Sequence, residues 1–324
     1  MGPHYAQGML RSAILAASRN RGFERLVSNA PVSRTVVRRF VGGADTSAAV
    51  GAASALVEDG LHVTLDHLGE DTTDAQQAGA IADEYLSLLE ALDRAGLAER
   101  LGPLTARAEV SVKLSAIGQA LPGDGEKIAL EHARRICSAA RGVGATVTLD
   151  MEDHTSTDST LATLVELRAD FPETAGVLQS YLRRTEGDCR DLAGTGSRIR
   201  LCKGAYKEPA SVAHQGDLDV DLSYVRCANI LLSGAGYPMF ATHDPRLVAI
   251  ARERAKFYGK SQHEYELQML FGVRPTEQRR LAREGETVRV YVPYGGDWYG
   301  YLMRRLAERP SNLSFVLRSL ASKR

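Results

Sequence analysis

Tyr301, Arg304, Arg305 and Glu308 in "YLMRRLAER" stand at i, i+3, i+4 and i+7. A helix there would carry an aromatic ring, two guanidiniums and a carboxylate on one face, with Leu302 and Leu306 on another. Adjacent arginines offer planar forks matched to a carboxylate or phosphate, which the point charge of lysine does not reproduce. The same face also admits a plain Arg304–Glu308 ion pair on a solvated helix, and Arg-Arg pairs recur at 38–39, 134–135, 183–184 and 279–280, so the dipeptide alone decides nothing. Two lysines raise a different chemistry. Lys113 in "EVSVKLSA" and Lys203 in "RIRLCKGAY" lie in β-rich runs, and a strand-end lysine can form a Schiff base with a carbonyl substrate. An ammonium inside such a run needs a buried partner, and Asp150 on the adjacent strand is the expected one.

These side chains need a frame. From residue 61 onward eight β-rich segments (62–69, 109–116, 146–152, 176–182, 198–206, 238–244, 265–272 and 288–295) alternate with amphipathic stretches such as "AQQAGAIADEYLSLLEALDRAGL". Strand-helix alternation repeated in this way predicts an α/β fold, a (β/α)8 TIM-type barrel, before a doubly wound sheet. Residues 1–50, helical in pattern through "AILAASRNRGFERLV" and "SRTVVRRFV", form a segment expected to pack on a barrel domain of 51–324. The last helix, following strand 8, is expected over the barrel mouth, where its first turns face the catalytic end.

Composition narrows the function. Forty basic and forty acidic residues cancel, leaving no overall field to attract nucleic acid. No apolar run is long enough for a membrane span, and the N-terminus lacks an apolar signal core. The four cysteines have no CxxC spacing and the eight histidines include no HExxH or HxH, so no metal site is expected and reduced thiols in the cytoplasm are the default. "GTGSRI", "GVGATV" and "GAGYPM" each begin GxG but lack the third glycine and the strand-glycine-helix order of a dinucleotide fingerprint, so they read as helix-to-strand turns.

In a barrel, chemistry collects at the C-terminal ends of the strands. Those ends hold Asp66, Lys113, Asp150, Met151, Glu152, Gln179, Tyr181, Arg200, Lys203, Tyr206, Thr242, His243, Asp244, Gln268 and Tyr291. Asp66, Asp153 and Asp244 also suit helix N-caps, and Tyr291 a half-buried strand aromatic. A lysine aldolase, or a barrel retained only to bind a ligand, stays open on these residues alone.

The ordered segments "VSVKLSA", "LDME", "QSYL", "RLCKGAYKE", "FATHD", "YELQMLFGV", "VYVPYGGDWYGYLMRRLAER" and "NLSF" resemble the bacterial proline dehydrogenase family over residues 60–315. That resemblance implies a flavin enzyme that oxidises L-proline to Δ1-pyrroline-5-carboxylate by hydride transfer from C5 to N5 of FAD. A membrane quinone would reoxidise the flavin, in the first step of proline catabolism to glutamate. With the sequence ending at residue 324, the stand-alone form is expected, without the aldehyde dehydrogenase half of fused members. Further implied are a separate pyrroline-5-carboxylate dehydrogenase as partner and a cytoplasmic protein with peripheral contact at the inner face of the membrane. By the same resemblance Arg304 and Arg305 clamp the substrate carboxylate with help from Lys113, and Tyr291 and Tyr301 pack around the ring. Asp150 pairs with Lys113 or the neighbouring arginines, and Arg200 lies beside the flavin N5 edge. Met151, Gln179, Lys203, Gly204, Ala205, Thr242 and His243 contact FAD, and Glu308 closes the site by ion pairing.

Overall fold

The computed structural model describes residues 37–69 and 72–308, with side chains described as far as Met303. Eight parallel strands, β1 (His62–His67), β2 (Ala108–Val112), β3 (Thr146–Leu149), β4 (Ala175–Gln179), β5 (Arg198–Cys202), β6 (Tyr237–Ala241), β7 (Glu266–Leu270) and β8 (Val288–Tyr294), close into a barrel with β8 beside β1. Helix α1 (Thr46–Glu58) precedes β1. Between the strands come α2 (Ala75–Arg94), α3 (Gly125–Val143), α4 (Thr157–Asp170), α5 (Thr185–Leu192), α6 (Asp217–Ser233), α7 (Pro245–Phe257) and α8 (Pro275–Arg283), and α9 (Trp298–Glu308) follows β8. The TIM-type architecture is as the alternation predicted. Several expected strands overran their C-terminal ends: 109–116 stops at Val112, because the polar loop beyond it has strand-like composition but no ladder partner.

Local signals place the helices. Asp74 accepts a hydrogen bond from the Gln77 amide at 2.8 Å to start α2, which then buries Ala78, Ala82, Tyr85, Leu88, Leu89 and Leu92 at helical spacing. Gly144 ends α3 in the left-handed conformation, φ 89°, and all three GxG stretches lie between a helix and the next strand.

Along each strand one parity of side chains points to the helices and the other into the barrel. Val63 and Leu65, Val110 and Val112, Ile199 and Leu201, and Val288, Val290 and Val292 belong to the apolar layer under the helices. The opposite parity is charged. Lys113, Arg198, Arg200 and Arg289 face Asp66, Glu109, Asp150 and Glu266 in a paired column, buried except at Asp150. Gln268, expected at the mouth, lies mid-strand in this column, where its amide donates to Glu266; as the third residue of β7 it sits below the strand end.

Helix α1 packs against β1, β8 and α2, and residue 50, where the expected N-terminal segment ends, falls within it. Residues 1–36 of that segment lie outside the described residues. Tyr299, Tyr301, Leu302 and Met303 of α9 pack with Phe40, Val41 and Leu68. Leu68 directly follows β1, so α9 lies at the strands' C-terminal end, over the mouth as expected. Burial at three successive positions, 301 to 303, means that the start of α9 is enclosed on more than one face. No described helix is long and apolar enough to cross a membrane.

One half-buried group gives the fold a pH dependence. Burial, reinforced by the nearby Arg289 charge, lowers the His62 pKa from 6.5 to about 4. The unfolded chain therefore binds a proton that the folded barrel refuses, so this contribution is full above pH ~6.5 and is lost as pH falls towards 4. The loss should amount to about 3 kcal/mol. Urea midpoints measured from pH 7 to 4 are expected to fall less steeply in His62→Gln than in the parent; parallel profiles would contradict this.

Candidate active site

At the barrel mouth Lys113 Nζ lies 2.8 Å from each Asp66 carboxylate oxygen. This corrects two expectations. The lysine's partner is Asp66 on β1 and not Asp150, the residue after β3, and Asp66 is not a helix cap. The reason is competition: β2 lies between β1 and β3, and Asp150 is already held by other donors. Asp153 and Asp244 do cap, accepting from the amides of Thr155 and Arg246 at 2.9 Å. Burial raises the Asp66 pKa against the opposing pull of Lys113.

Asp150 accepts from Arg200 Nη1 at 2.7 Å, from Ser111 Oγ at 2.7 Å and from the Tyr291 hydroxyl at 2.7 Å. Arg200 Nη2 donates to Glu109 at 2.8 Å, and its guanidinium carbon lies 5.4 Å from the Tyr291 ring centre. Burial pulls the Arg200 pKa down, but Asp150 and Glu109 outweigh it and the net shift is upward. Burial, then the Asp150 charge, lifts Tyr291 well above an ordinary tyrosine, so its hydroxyl stays a donor. Asp150 thus pairs with an arginine, the second partner expected of it.

Loops after the next strands bring in the other expected residues. Met151 is buried, and Gln179 Nε2 donates to the Glu152 carbonyl at 2.7 Å, tying the end of β4 to the loop after β3. Lys203 Nζ lies 2.5 Å from Asp221 and 3.7 Å from Asp244. Gly204 has φ +111°, and a Cβ there would stand 2.3 Å from the Tyr181 ring, so only glycine fits. Ala205 is partly exposed beside it. Thr242 is buried with its hydroxyl accepting from the Asp244 amide at 3.2 Å, and His243 Nε2 accepts from the Leu270 amide at 2.9 Å. Tyr301 is buried in the α9 cluster, while the side chains of Arg304, Arg305 and Glu308 lie outside the described residues.

The proline dehydrogenase family profile matches residues 49–318. The chain belongs to the proline dehydrogenase family. It is accordingly an oxidoreductase. It is 38% identical over 314 residues to proline dehydrogenase of Deinococcus radiodurans, covering 96% of this chain and 98% of that one. It is 36% identical over 315 residues to proline dehydrogenase 1 of Bacillus subtilis, covering 97% and 100%. The fold is also that of the solved proline utilization A of Bdellovibrio bacteriovorus, a structure inactivated by N-propargylglycine, with TM-score 0.80 at 23% identity. All of this chain aligns there, spanning 39% of the longer protein.

Glu109, Ser111 and Glu208 were not among the strand-end residues read from the sequence, whereas Asp66 and Glu152 were. Glu109, Ser111 and Asp66 complete the bonding around Lys113, Asp150 and Arg200. Glu152 accepts from Ser115 Oγ at 2.6 Å, and Glu208 joins His154 to Tyr181 across two loops. The available signal was parity: Glu109, Ser111 and Lys113, like Arg198 and Arg200, repeat every second residue in runs whose other parity is aliphatic.

The donor set suits a polar heterocycle. Arg200 Nε is a buried donor with no partner among the described residues, and the Ser180 hydroxyl is likewise buried and unpaired. A ring nitrogen or carbonyl would satisfy such groups. The left-handed turn at Gly204 brings the 203–205 backbone close against Tyr181.

Proposed function

We propose that this chain oxidises L-proline to Δ1-pyrroline-5-carboxylate with FAD held at the barrel mouth. The observation that carries the reading is Asp150 hydrogen-bonded to the buried Arg200 and to Tyr291, with the Lys113–Asp66 pair at the neighbouring strand ends, in a chain whose family match spans residues 49–318. FAD, when bound, supplies the hydride acceptor at N5. Met151, Gln179, Lys203, Gly204, Ala205, Thr242 and His243 would hold it, the barrel taking the place of a glycine-rich fingerprint.

The protein's own part is position and charge. Proline is a zwitterion whose carboxylate is its best handle, and Arg304, Arg305 and Lys113 would fix that carboxylate and with it the ring carbon C5. Tyr291 and Tyr301 would flank the ring, with Tyr291 held by Asp150. The ring ammonium gives up one proton, hydride then leaves C5 to give the protonated imine, and loss of the remaining nitrogen proton gives the imine. Arg200, braced by two carboxylates, would stabilise negative charge developing beside it. A quinone would take the electrons at the inner face of the membrane, the enzyme staying cytoplasmic with peripheral contact, and a separate pyrroline-5-carboxylate dehydrogenase would consume the product. Schiff-base chemistry is disfavoured, since both lysine ammoniums are engaged by carboxylates.

Purified protein is expected to show flavin absorbance that bleaches when L-proline is added without oxygen. Arg304→Met and Arg305→Met should each raise the KM for proline about 10- to 100-fold, as for loss of a charged hydrogen bond, with flavin content unchanged. Colourless protein that takes up no added FAD would sink the reading; equal loss of flavin in either variant would remove the arginines from the carboxylate clamp.

A further inference from the structure

Below the mouth, the barrel interior departs from the branched apolar layers usual in this architecture. Glu109 of β2 accepts from Arg198 Nη2 at 2.7 Å and Arg200 Nη2 at 2.8 Å, both from β5, and from the Thr64 hydroxyl at 2.9 Å on β1. Glu109 and Arg198 are fully buried. Arg200 is consequently pinned at two nitrogens, one to Glu109 below and one to Asp150 above. Burial alone would raise the Glu109 pKa, but Arg198, Arg289 and Arg200 together hold it well below the usual carboxylate range, so it is an anion. Stability does not account for such an arrangement. Buried ion pairs replaced by apolar residues of similar volume commonly leave a protein as stable or more so.

We propose that Glu109 is a positioning residue: it braces Arg200 against Asp150 and sets the net charge beneath the mouth, and through that charge the reduction potential of the flavin bound there. The inference rests on the flavin reading above. Four cations and four carboxylates balance in the paired column. Removing the Glu109 charge leaves one cation uncompensated in a buried region, where salt screens weakly. Excess positive charge favours the reduced, more negative flavin, so the potential rises.

Glu109→Gln keeps the side chain's shape and removes its charge. At a fixed poise the ratio of reduced to oxidised flavin should move about tenfold towards reduced, about 30 mV for a two-electron couple, with flavin content unchanged. Adding Arg198→Gln restores the charge balance and should return the potential to that of the parent. A purely structural Glu109 would lower the urea midpoint and leave the potential unmoved, which would overturn the proposal. Should Glu109→Gln fail to fold, Arg198→Gln alone serves: it leaves an anionic excess and must move the potential about tenfold the other way, and no movement again overturns the idea. Parent protein without a proline-bleachable flavin would instead defeat the underlying reading, a result visible before any variant is made.

Discussion

Arg200→Met is expected to lower turnover about 10²- to 10³-fold, the usual effect of deleting a preorganised donor at a site of developing charge, while binding flavin in the normal amount. The side chain joins three elements: it donates to Asp150 and Ser111 at 2.7 and 3.0 Å and to Glu109 at 2.8 Å. Its removal also leaves two carboxylates short of a cation. Both retain other donors, Arg198 and Thr64 for Glu109, Ser111 and Tyr291 for Asp150, so the cost should fall near the lower end of that for breaking a buried pair, about 3 kcal/mol. Arg200→Lys keeps the charge but not the fork and cannot reach both carboxylates at once. It should therefore recover stability more than turnover. Steady-state kinetics with flavin quantified in each preparation checks this; turnover within threefold of the parent in Arg200→Met would exclude Arg200 from the chemistry.

Lys113→Met should do two separable things. It strips a buried Asp66 of its ion-pair partner, which costs about 3–5 kcal/mol if the carboxylate cannot rearrange. It also removes a cation from the proposed carboxylate site, raising the KM for proline at least tenfold, the scale of one charged hydrogen bond. Asp66→Asn in the same chain removes the stranded charge, so the double variant should regain most of the urea midpoint and none of the proline affinity. If the double variant regains affinity as well, Lys113 serves the scaffold alone and the substrate is held elsewhere.

The barrel itself was legible because its signal is repetitive. Eight aliphatic runs of alternating parity, separated by helical periodicity and by glycine turns such as 142–144, leave little other than a closed parallel barrel that buries both strand faces. Family membership was legible too, since ordered segments such as "RLCKGAYKE" and "YELQMLFGV" survive as local strings. Partnership was less so. Lys113 had a carboxylate beside it on each neighbouring strand, and the order of residues pointed to Asp150, the wrong one. What ranked them was three-dimensional: Asp150 is saturated by Ser111, Arg200 and Tyr291 from three other strands, which leaves Asp66 for the lysine.

The same distinction separates the two ion-paired levels of the barrel. That Glu109, Arg198, Arg200, Glu266 and Arg289 share the inward parity follows from their positions in the chain. That Glu109 bridges two arginines of β5, three strands away, depends on closure of the sheet and on the stagger between strands, which bring opposite walls within hydrogen-bond reach. Sequence by itself determined the fold, the family and the inventory of charges at the strand ends, because these reside in local periodicity and local strings. Tertiary structure alone decided which charge answers which, because in a closed barrel every inward side chain has partners from distant strands and only distance selects among them.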